Sequence, residues 1–296
     1  MQWGKDGRPG SGPAEQLCAW VEDRLDDRIG AVRSLHDGES PWWVDLVAPG
    51  GATWSVVLRA PSSRIGPDLI ATNAAALLVA EKHGLTAPRL LAADLDGRAA
   101  GVPATLETVI CGTSAWPATF SPELLVAAGA ALARVHAVAL HPRPELPFRP
   151  RPIAVDDFAR ERREGRMPTT ALLQKADERV QAIKLPAGPS VFVHGDVWPG
   201  NTVLAGGGVR ALIDWKTAGA GDPGVDLGEL RKQAAILYDD DAPAYVLAGW
   251  EQATGTRACD VPYWDAVAAL NTPTEGYDPR VTRRRDRFLQ AAIAQL

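Results

Sequence analysis

VFVHGDVWPGNTVLAGGGVRALIDWKTAGAGDPGVDLGE, residues 191–229, is the stretch that decides how the chain is read. It opens on a β-branched, apolar run, Val191-Phe192-Val193, of the kind that forms a buried strand. A tight polar turn follows, His194-Gly195-Asp196, with Asn201 five residues past the aspartate. Residues 202–204 and 209–213 then read as the two arms of a hairpin around Ala205-Gly206-Gly207-Gly208, and the second arm delivers Asp214. Two carboxylates and one amide are thus aimed from adjacent turns at one place. Hard oxygen donors so gathered suit Mg²⁺ on a nucleotide and the orientation of a hydroxyl toward its terminal phosphate.

The segment resembles the catalytic segment of the aminoglycoside phosphotransferase/choline kinase family. The family's H-G-D-x-x-x-x-N motif is complete in His194, Gly195, Asp196 and Asn201. Its I-D-W/F-x-x-x-G-x-G-D-P-x-x-D-L segment is complete in Ile213, Asp214, Trp215, Gly219, Gly221, Asp222, Pro223, Asp226 and Leu227. Protein kinases carry the same Asp-x-x-x-x-Asn spacing and a metal-binding Asp after the next hairpin. The resemblance implies an α+β, bilobal, protein-kinase-like fold. A small antiparallel sheet with a helix would form the first lobe (14–110) and a larger, mainly helical lobe would follow (111–296), with 1–13 a floppy leader. It implies a kinase that moves the γ-phosphate of ATP, GTP not being excluded, to a hydroxyl of a small molecule. Asp196 would accept or orient the hydroxyl proton, and Asn201 and Asp214 would hold Mg²⁺. His194 would buttress the loop, Asp222 would accept hydrogen bonds from the loop backbone, and Asp226 would cap or anchor the next helix.

Upstream, residues 14–27 carry Leu17, Trp20, Val21 and Leu25 at helical spacing. Strand-like runs follow at 29–35, 42–47 and 54–59, the last two joined by the turn Pro49-Gly50-Gly51-Ala52. The first two are joined by a loop, 36–41, which in a kinase-like lobe lies over the phosphates and offers the Ser40 hydroxyl. Arg59 ends the third strand where kinases place a phosphate-holding lysine; its fork keeps the charge and adds a second donor. The helix expected at 69–83 has Asn73 where the family carries the glutamate that pairs with that lysine. Asn73 by hydrogen bonding, or Glu81 two turns on, would then have to hold Arg59. Strands are expected at 85–91 and 102–110. The second ends at a hinge, Cys111-Gly112, and the resemblance puts adenine against backbone groups near Thr108 and Ile110. Cys111 itself reads as a small buried hydrophobe.

Beyond the hinge, Ser121-Pro122-Glu123 reads as the cap of a helix over 124–138. His136 on that helix lacks further His or Cys ligands nearby and reads as packed rather than metal-binding. Residues 156–166, rich in both charge signs, read as a solvated helix face. Further helices are expected at 170–184, 226–238, 244–254, 261–270 and 280–296, the last with Phe288, Ala292 and Leu296 on one stripe.

Gly219-Ala220-Gly221-Asp222-Pro223-Gly224 also matches the dinucleotide-binding G-x-G-x-x-G. That reading sets a carboxylate against a pyrophosphate and leaves His194, Asp196 and Asn201 without a role. A protein kinase proper would need an A-P-E segment, which is missing. A nucleotide-binding, kinase-like protein with weak or no catalysis is the alternative, motivated by Arg59 and Asn73.

The 296 residues are 46% apolar and 23% charged, a globular composition. The net charge of -5 has no basic stripe, so no nucleic-acid partner is expected. No apolar run reaches membrane-spanning length, and the N-terminal MQWGKDGRPGSGP has no secretory h-region. Three scattered cysteines, Cys18, Cys111 and Cys259, fit neither a disulfide framework nor a zinc site and point to a reducing cytoplasm. The expected partner is a small hydroxylated acceptor; oligomeric state leaves no mark in the sequence.

Overall fold

The structure, a computed structural model, describes residues 12–184, 188, 190–276 and 278–296. The expected leader over 1–13 therefore falls almost wholly outside the described residues. The chain divides into two compact units, Met1–Lys82 with Ala87–Ile110, and His83–Thr86 with Cys111–Leu296.

The first unit runs α1 (Glu15–Leu25), β1 (Arg28–His36), β2 (Glu39–Val47), β3 (Thr53–Arg59), α2 (Pro67–Lys82), β4 (Leu90–Asp94) and β5 (Ala104–Thr108). The strands form one antiparallel sheet in the order β1-β2-β3-β5-β4. Period-two alternation puts Trp42, Val44 and Leu46 of β2 on the inner face, beside Val56 and Leu58 of β3 and Leu106 of β5. Helix α1 lays Leu17, Trp20 and Val21 on the same cluster, which is what the spacing of those residues required. The loop expected over 36–41 is much shorter. Asp37 (φ 48°) and Gly38 (φ 84°) alone make the turn, the two-residue geometry that Asp-Gly favours, and Glu39, Ser40 and Pro41 extend β2. The strand expected at 85–91 begins only at Leu90; Thr86 instead accepts a hydrogen bond from the Leu212 amide of the second unit's hairpin. The strand expected at 102–110 is confined to Ala104–Thr108.

The second unit contains α3 (Pro122–His136), β6 (Phe148–Arg149), α4 (Phe158–Arg163), α5 (Ala171–Ala182), β7 (Val191–Val193), β8 (Thr202–Ala205), β9 (Gly208–Leu212), β10 (Gly219–Gly221), α6 (Gly224–Leu237), α7 (Ala242–Thr254), α8 (Val261–Leu270) and α9 (Pro279–Ile293). Ser121 caps α3 by accepting from the Leu124 amide, with Pro122 in the first turn, as the sequence implied. Two small sheets interrupt the helices: β6-β10-β7, and the hairpin β8-β9. In α4 the expected solvated face is broken by Arg162. It turns inward and donates to the carbonyls of Thr272 (3.0 Å) and Leu270, just where the exposed carbonyl end of α8 needs donors. Phe288 and Ala292 of α9 are buried against α5 and α8, while Leu296 is partly buried at the edge of that cluster.

Candidate active site

Strand β7 is buried at all three residues and pairs antiparallel with β10, Val193 opposite Gly219. The chain leaves it at His194 and turns at Gly195, whose φ of 80° lies in the region that favours glycine. A Cβ there would stand 2.3 Å from the Thr217 carbonyl oxygen, so the turn admits no side chain. His194 is fully buried. Its Nδ1 accepts from the Asp196 amide (3.3 Å), which leaves Nε2 to donate to the Ile213 carbonyl (2.9 Å). Burial pushes its pKa down, so the ring stays neutral and bridges the polar turn to the end of the hairpin. Trp215 packs against this ring at 4.5 Å and stacks on Phe192 at 5.2 Å.

The second support is Asp226, completely buried in the first turn of α6. Its Oδ2 accepts from the His194 amide (2.8 Å) and its Oδ1 from the Gly195 amide (2.8 Å). His136 completes the set at 3.0 Å from Oδ2. Trp250 Nε1 donates to His136 Nδ1 (2.9 Å), so the other ring nitrogen carries the proton toward Asp226. Burial alone would raise the Asp226 pKa; the hydrogen bonds from His136 and from the His194 amide, with the polarity of the two imidazoles, outweigh it and lower the pKa below its ordinary value. The sequence-based assignment of the two aspartates is therefore exchanged. Asp226 receives the loop amides, whereas Asp222 accepts from the Gly224 amide (2.7 Å) just ahead of α6. The glycines around Asp222 also have a packing reason: a Cβ on Gly219 would lie 2.2 Å from the Pro147 carbonyl oxygen.

Asn201 sits in the helical turn Pro199–Asn201 and is buried. Its Nδ2 donates to the Asp196 carbonyl (2.9 Å) and to Asp196 Oδ2 (3.1 Å). Its own backbone carbonyl accepts from the Ile213 amide (2.9 Å), which ties it to the arm that delivers Asp214. Asp214 takes a left-handed conformation, φ 66°, where the hairpin passes into the turn Trp215–Thr217. Lys216 closes the ring: its Nζ pairs with Asp214 Oδ2 and lies 4.0 Å from Asp196 Oδ2. Asp196, Asn201 and Asp214 are thus brought together within the second unit. Burial pushes the Asp196 carboxyl up to about 7, against the pull of Lys216 and with a further push from Asp214 and Glu229.

Among the described residues no group of three or more His, Cys, Asp or Glu side chains is gathered as a metal cage. Mg²⁺ does not need one, since it takes one or two carboxylates, waters and substrate phosphates. The donors at hand are the Asp214 carboxylate and the Asn201 amide oxygen. The seating of an ammonium group on Asp214 marks this as a place where positive charge is stabilised.

The nucleotide contacts expected in the first unit are rearranged. Ser40 is buried in β2 and its hydroxyl accepts from the Ala60 amide (2.9 Å), so it is not a loop hydroxyl. Thr108 is tied to the chain before β4: its amide donates to the Arg89 carbonyl and its hydroxyl accepts from the Arg89 amide, each at 2.9 Å. That amide is not available to adenine; Ile110, half-buried, lies past the end of β5. Arg59 is held neither by Asn73 directly nor by Glu81, which instead pairs with Arg89 at the surface (3.4 Å). Its Nε donates to Glu107 Oε1 at 2.6 Å, and Asn73 donates to the other oxygen of the same carboxylate (3.3 Å). The acid comes from a strand, not from the helix. Cys111, expected to be buried, is exposed.

The family model of the phosphotransferase enzyme family matches residues 31–270. No curated protein sequence matches the chain. Among solved structures, the macrolide 2′-phosphotransferase MphH of Brachybacterium faecium is 18% identical, with a TM-score of 0.59 over 89% of this chain and 100% of that one. A type I macrolide 2′-phosphotransferase is 21% identical, with a TM-score of 0.61 over 97% and 98%. The amicoumacin kinase hAmiN, solved with AMP-PNP, Ca²⁺ and Ami, is 12% identical, with a TM-score of 0.59 over 89% and 88%. The chain belongs to the phosphotransferase enzyme family and is a small-molecule kinase of protein-kinase-like fold.

Proposed function

We propose that the protein transfers the γ-phosphate of ATP to a hydroxyl group of a small molecule of the aminoglycoside, macrolide, sugar or amino-alcohol type. The observation that carries the reading is the grouping of Asp196, Asn201, Asp214 and Lys216 at one place. Asp196 is the proton acceptor. Its carboxylate is anchored through its own amide to His194, and the two preceding amides are clamped by Asp226. Such a fixed acceptor orients the attacking oxygen without reorganisation at the moment of transfer. A basicity near neutrality suits a group that must be ionised at working pH and yet accept a proton late in a loose transition state. Asn201 and Asp214 are the residues that would hold a divalent ion of the Mg²⁺ type, which supplies charge neutralisation on phosphate oxygens when bound. The AMP-PNP and Ca²⁺ in the amicoumacin kinase support a nucleotide and a divalent ion as the co-substrates. In the first unit, Arg59 is the candidate cation for the nucleotide phosphates, and Glu107 is the carboxylate that fixes it. This weakens the case for a non-catalytic nucleotide binder, which rested on a missing clamp.

The test is steady-state ADP release from ATP with a hydroxylated acceptor panel as Mg²⁺ is varied. Asp214→Asn is expected to lower kcat by at least about 100-fold at any Mg²⁺ level, and Asn201→Ala to raise the Mg²⁺ needed for half-maximal rate. Turnover indifferent to both substitutions contradicts the assignment.

A further inference from the structure

The peptide that joins Gly195 to Asp196 is held from both sides. Its N–H, that of Asp196, donates to His194 Nδ1 (3.3 Å), and its carbonyl, that of Gly195, accepts from the Ile153 amide (2.6 Å). Ile153 makes that bond from a left-handed conformation, φ 52°, in which a β-branched side chain crowds the backbone. The turn that follows does not require it. The Asp156 amide donates to the Ile153 carbonyl (3.1 Å), which makes Ile153 the first residue of a four-residue turn, and such a turn constrains its two central residues. An unfavourable conformation of this kind persists where its surroundings over-determine it. Asn271, buried and one residue past α8, supplies such surroundings. Its Nδ2 donates to the Pro152 carbonyl (2.6 Å), the oxygen of the peptide whose N–H is that of Ile153, and reaches the Ile153 carbonyl at 3.4 Å. Its Oδ1 accepts from the Phe158 amide (3.2 Å) at the start of α4. Asn271 is itself well anchored: its amide donates to the Val267 carbonyl (3.0 Å), and Arg162 binds the carbonyls of its neighbours Leu270 and Thr272. Arg151 shapes the loop by donating to the Asp156 carbonyl (3.2 Å) and pairing with Asp157 (3.3 Å), and Asn271 ties the shaped loop to α8.

We propose that Asn271 is a positioning residue for phosphoryl transfer: by holding Ile153 left-handed, it sets the plane of the Gly195–Asp196 peptide and so the direction in which the Asp196 carboxylate leaves the turn. The inference rests on the function proposed above, since it takes Asp196 to be the proton acceptor. The two halves of the Asn271 side chain have separable duties. Oδ1 supports the start of α4, and Nδ2 holds the peptide between Pro152 and Ile153. An aspartate keeps the acceptor for the Phe158 amide and loses the donor to Pro152, so Asn271→Asp separates support of the helix from positioning of the turn. Misplacing the proton acceptor slows a step that depends on alignment and leaves nucleotide binding as it was.

Asn271→Asp, Asn271→Ala and Ile153→Pro, each in the full chain, are compared with the wild type. Ile153→Pro removes the N–H that binds the Gly195 carbonyl and changes a half-buried loop residue, so it tests the same link where an asparagine variant fails to fold. Steady-state rates are measured with MgATP and the member of an aminoglycoside, macrolide, sugar and amino-alcohol panel that the wild type phosphorylates. Backbone hydrogen exchange over 191–201 is followed by mass spectrometry without ligand. Each variant is expected to lower kcat by roughly 10–100-fold, with the KM for MgATP within about threefold of the wild type. Exchange over 194–196 should quicken by about tenfold. Wild-type kcat in Asn271→Asp or in folded Ile153→Pro, or wild-type exchange over 194–196 in them, overturns the inference and leaves the assignment of Asp196 standing. A KM for MgATP that rises as far as kcat falls shows a general loosening of the fold and overturns it as well. If the wild type phosphorylates no member of the panel, the functional reading itself fails and the inference falls with it.

Discussion

Burial pushes the Asp196 carboxyl up to about 7, from an ordinary value of 3.8, with Lys216 pulling the other way. The folded protein thus holds this proton more tightly than the unfolded chain does. The associated stability is complete below about pH 4 and is lost as pH rises through 7. Asp196→Asn cannot ionise, so in metal-free buffer it should be more stable than the wild type at pH 8, by about 2–4 kcal/mol, with the gap closing toward pH 5. Urea unfolding in chelator at both pH values checks this; a gap that stays constant or widens toward acid contradicts it. Glu107 presents the opposite case, a buried charge already compensated. Glu107→Gln would weaken the carboxylate that accepts from both Arg59 and Asn73 inside the first unit, at a cost of about 1–3 kcal/mol. Adding Asn73→Glu, which supplies a carboxylate from α2 instead, should recover part of that loss. Unchanged unfolding midpoints in the single variant would show that the pair contributes nothing. Glu107 escaped the sequence because it lies 48 residues from Arg59 and sits in a run, Ala104 to Thr108, whose pattern says only buried strand. Lys216 escaped for a different reason: a lysine two residues beyond an acid is usually a solvated side chain, and nothing local says that it turns back.

At the scale of elements, the turn at His194–Asp196 depends on helices packed behind it, through Trp250, His136 and Asp226. Helices α3 and α7 approach so closely that a Cβ on Gly129 would lie 2.0 Å from the Val246 carbonyl oxygen. One on Gly249 would lie 2.0 Å from that of Val126. This approach sets Trp250 of α7 against His136 of α3, and His136 in turn against Asp226. Gly129→Ala ought to favour an isolated helix by about 1 kcal/mol. Here overpacking is expected to win, with a net loss of about 1–3 kcal/mol and a lower kcat as the His136–Asp226 support shifts. Calorimetry alongside turnover decides it, and a variant more stable than the wild type contradicts the close-packing account. The elements themselves were largely legible, since helix and strand periodicities are local. Boundaries and partnerships were not. The six-residue loop expected over 36–41 shrank to Asp37-Gly38 because β2 could extend through Ser40, whose hydroxyl gains a buried partner in Ala60. Asp222 and Asp226 exchanged roles because both stand at the start of α6, and only the packing of α3 beside that helix separates them.

For the whole molecule, the contrast between a strand-rich first third and a helix-rich remainder appears as a five-stranded antiparallel sheet in one unit and helices α3 to α9 with two small sheets in the other. No described helix is long and apolar enough to cross a membrane. The catalytic motif was the most legible part because its chemistry is compressed into one turn–hairpin–turn, with Asp196, Asn201 and Asp214 inside 19 consecutive residues. The acceptor left no such mark, because the groups that choose it are spread over surfaces where no spacing rule applies. The account as a whole stands or falls on phosphoryl transfer. The most direct measurement is ³¹P NMR of MgATP incubated with the protein and a panel of aminoglycosides, macrolides, sugars and amino alcohols, for the wild type and for Asp196→Asn. The expected result is a new phosphomonoester resonance with at least one acceptor, reduced by about 10²–10⁴ in rate in the variant. Wild-type protein that binds MgATP but forms no phosphomonoester with any acceptor, or a variant that forms it at the wild-type rate, would contradict the account.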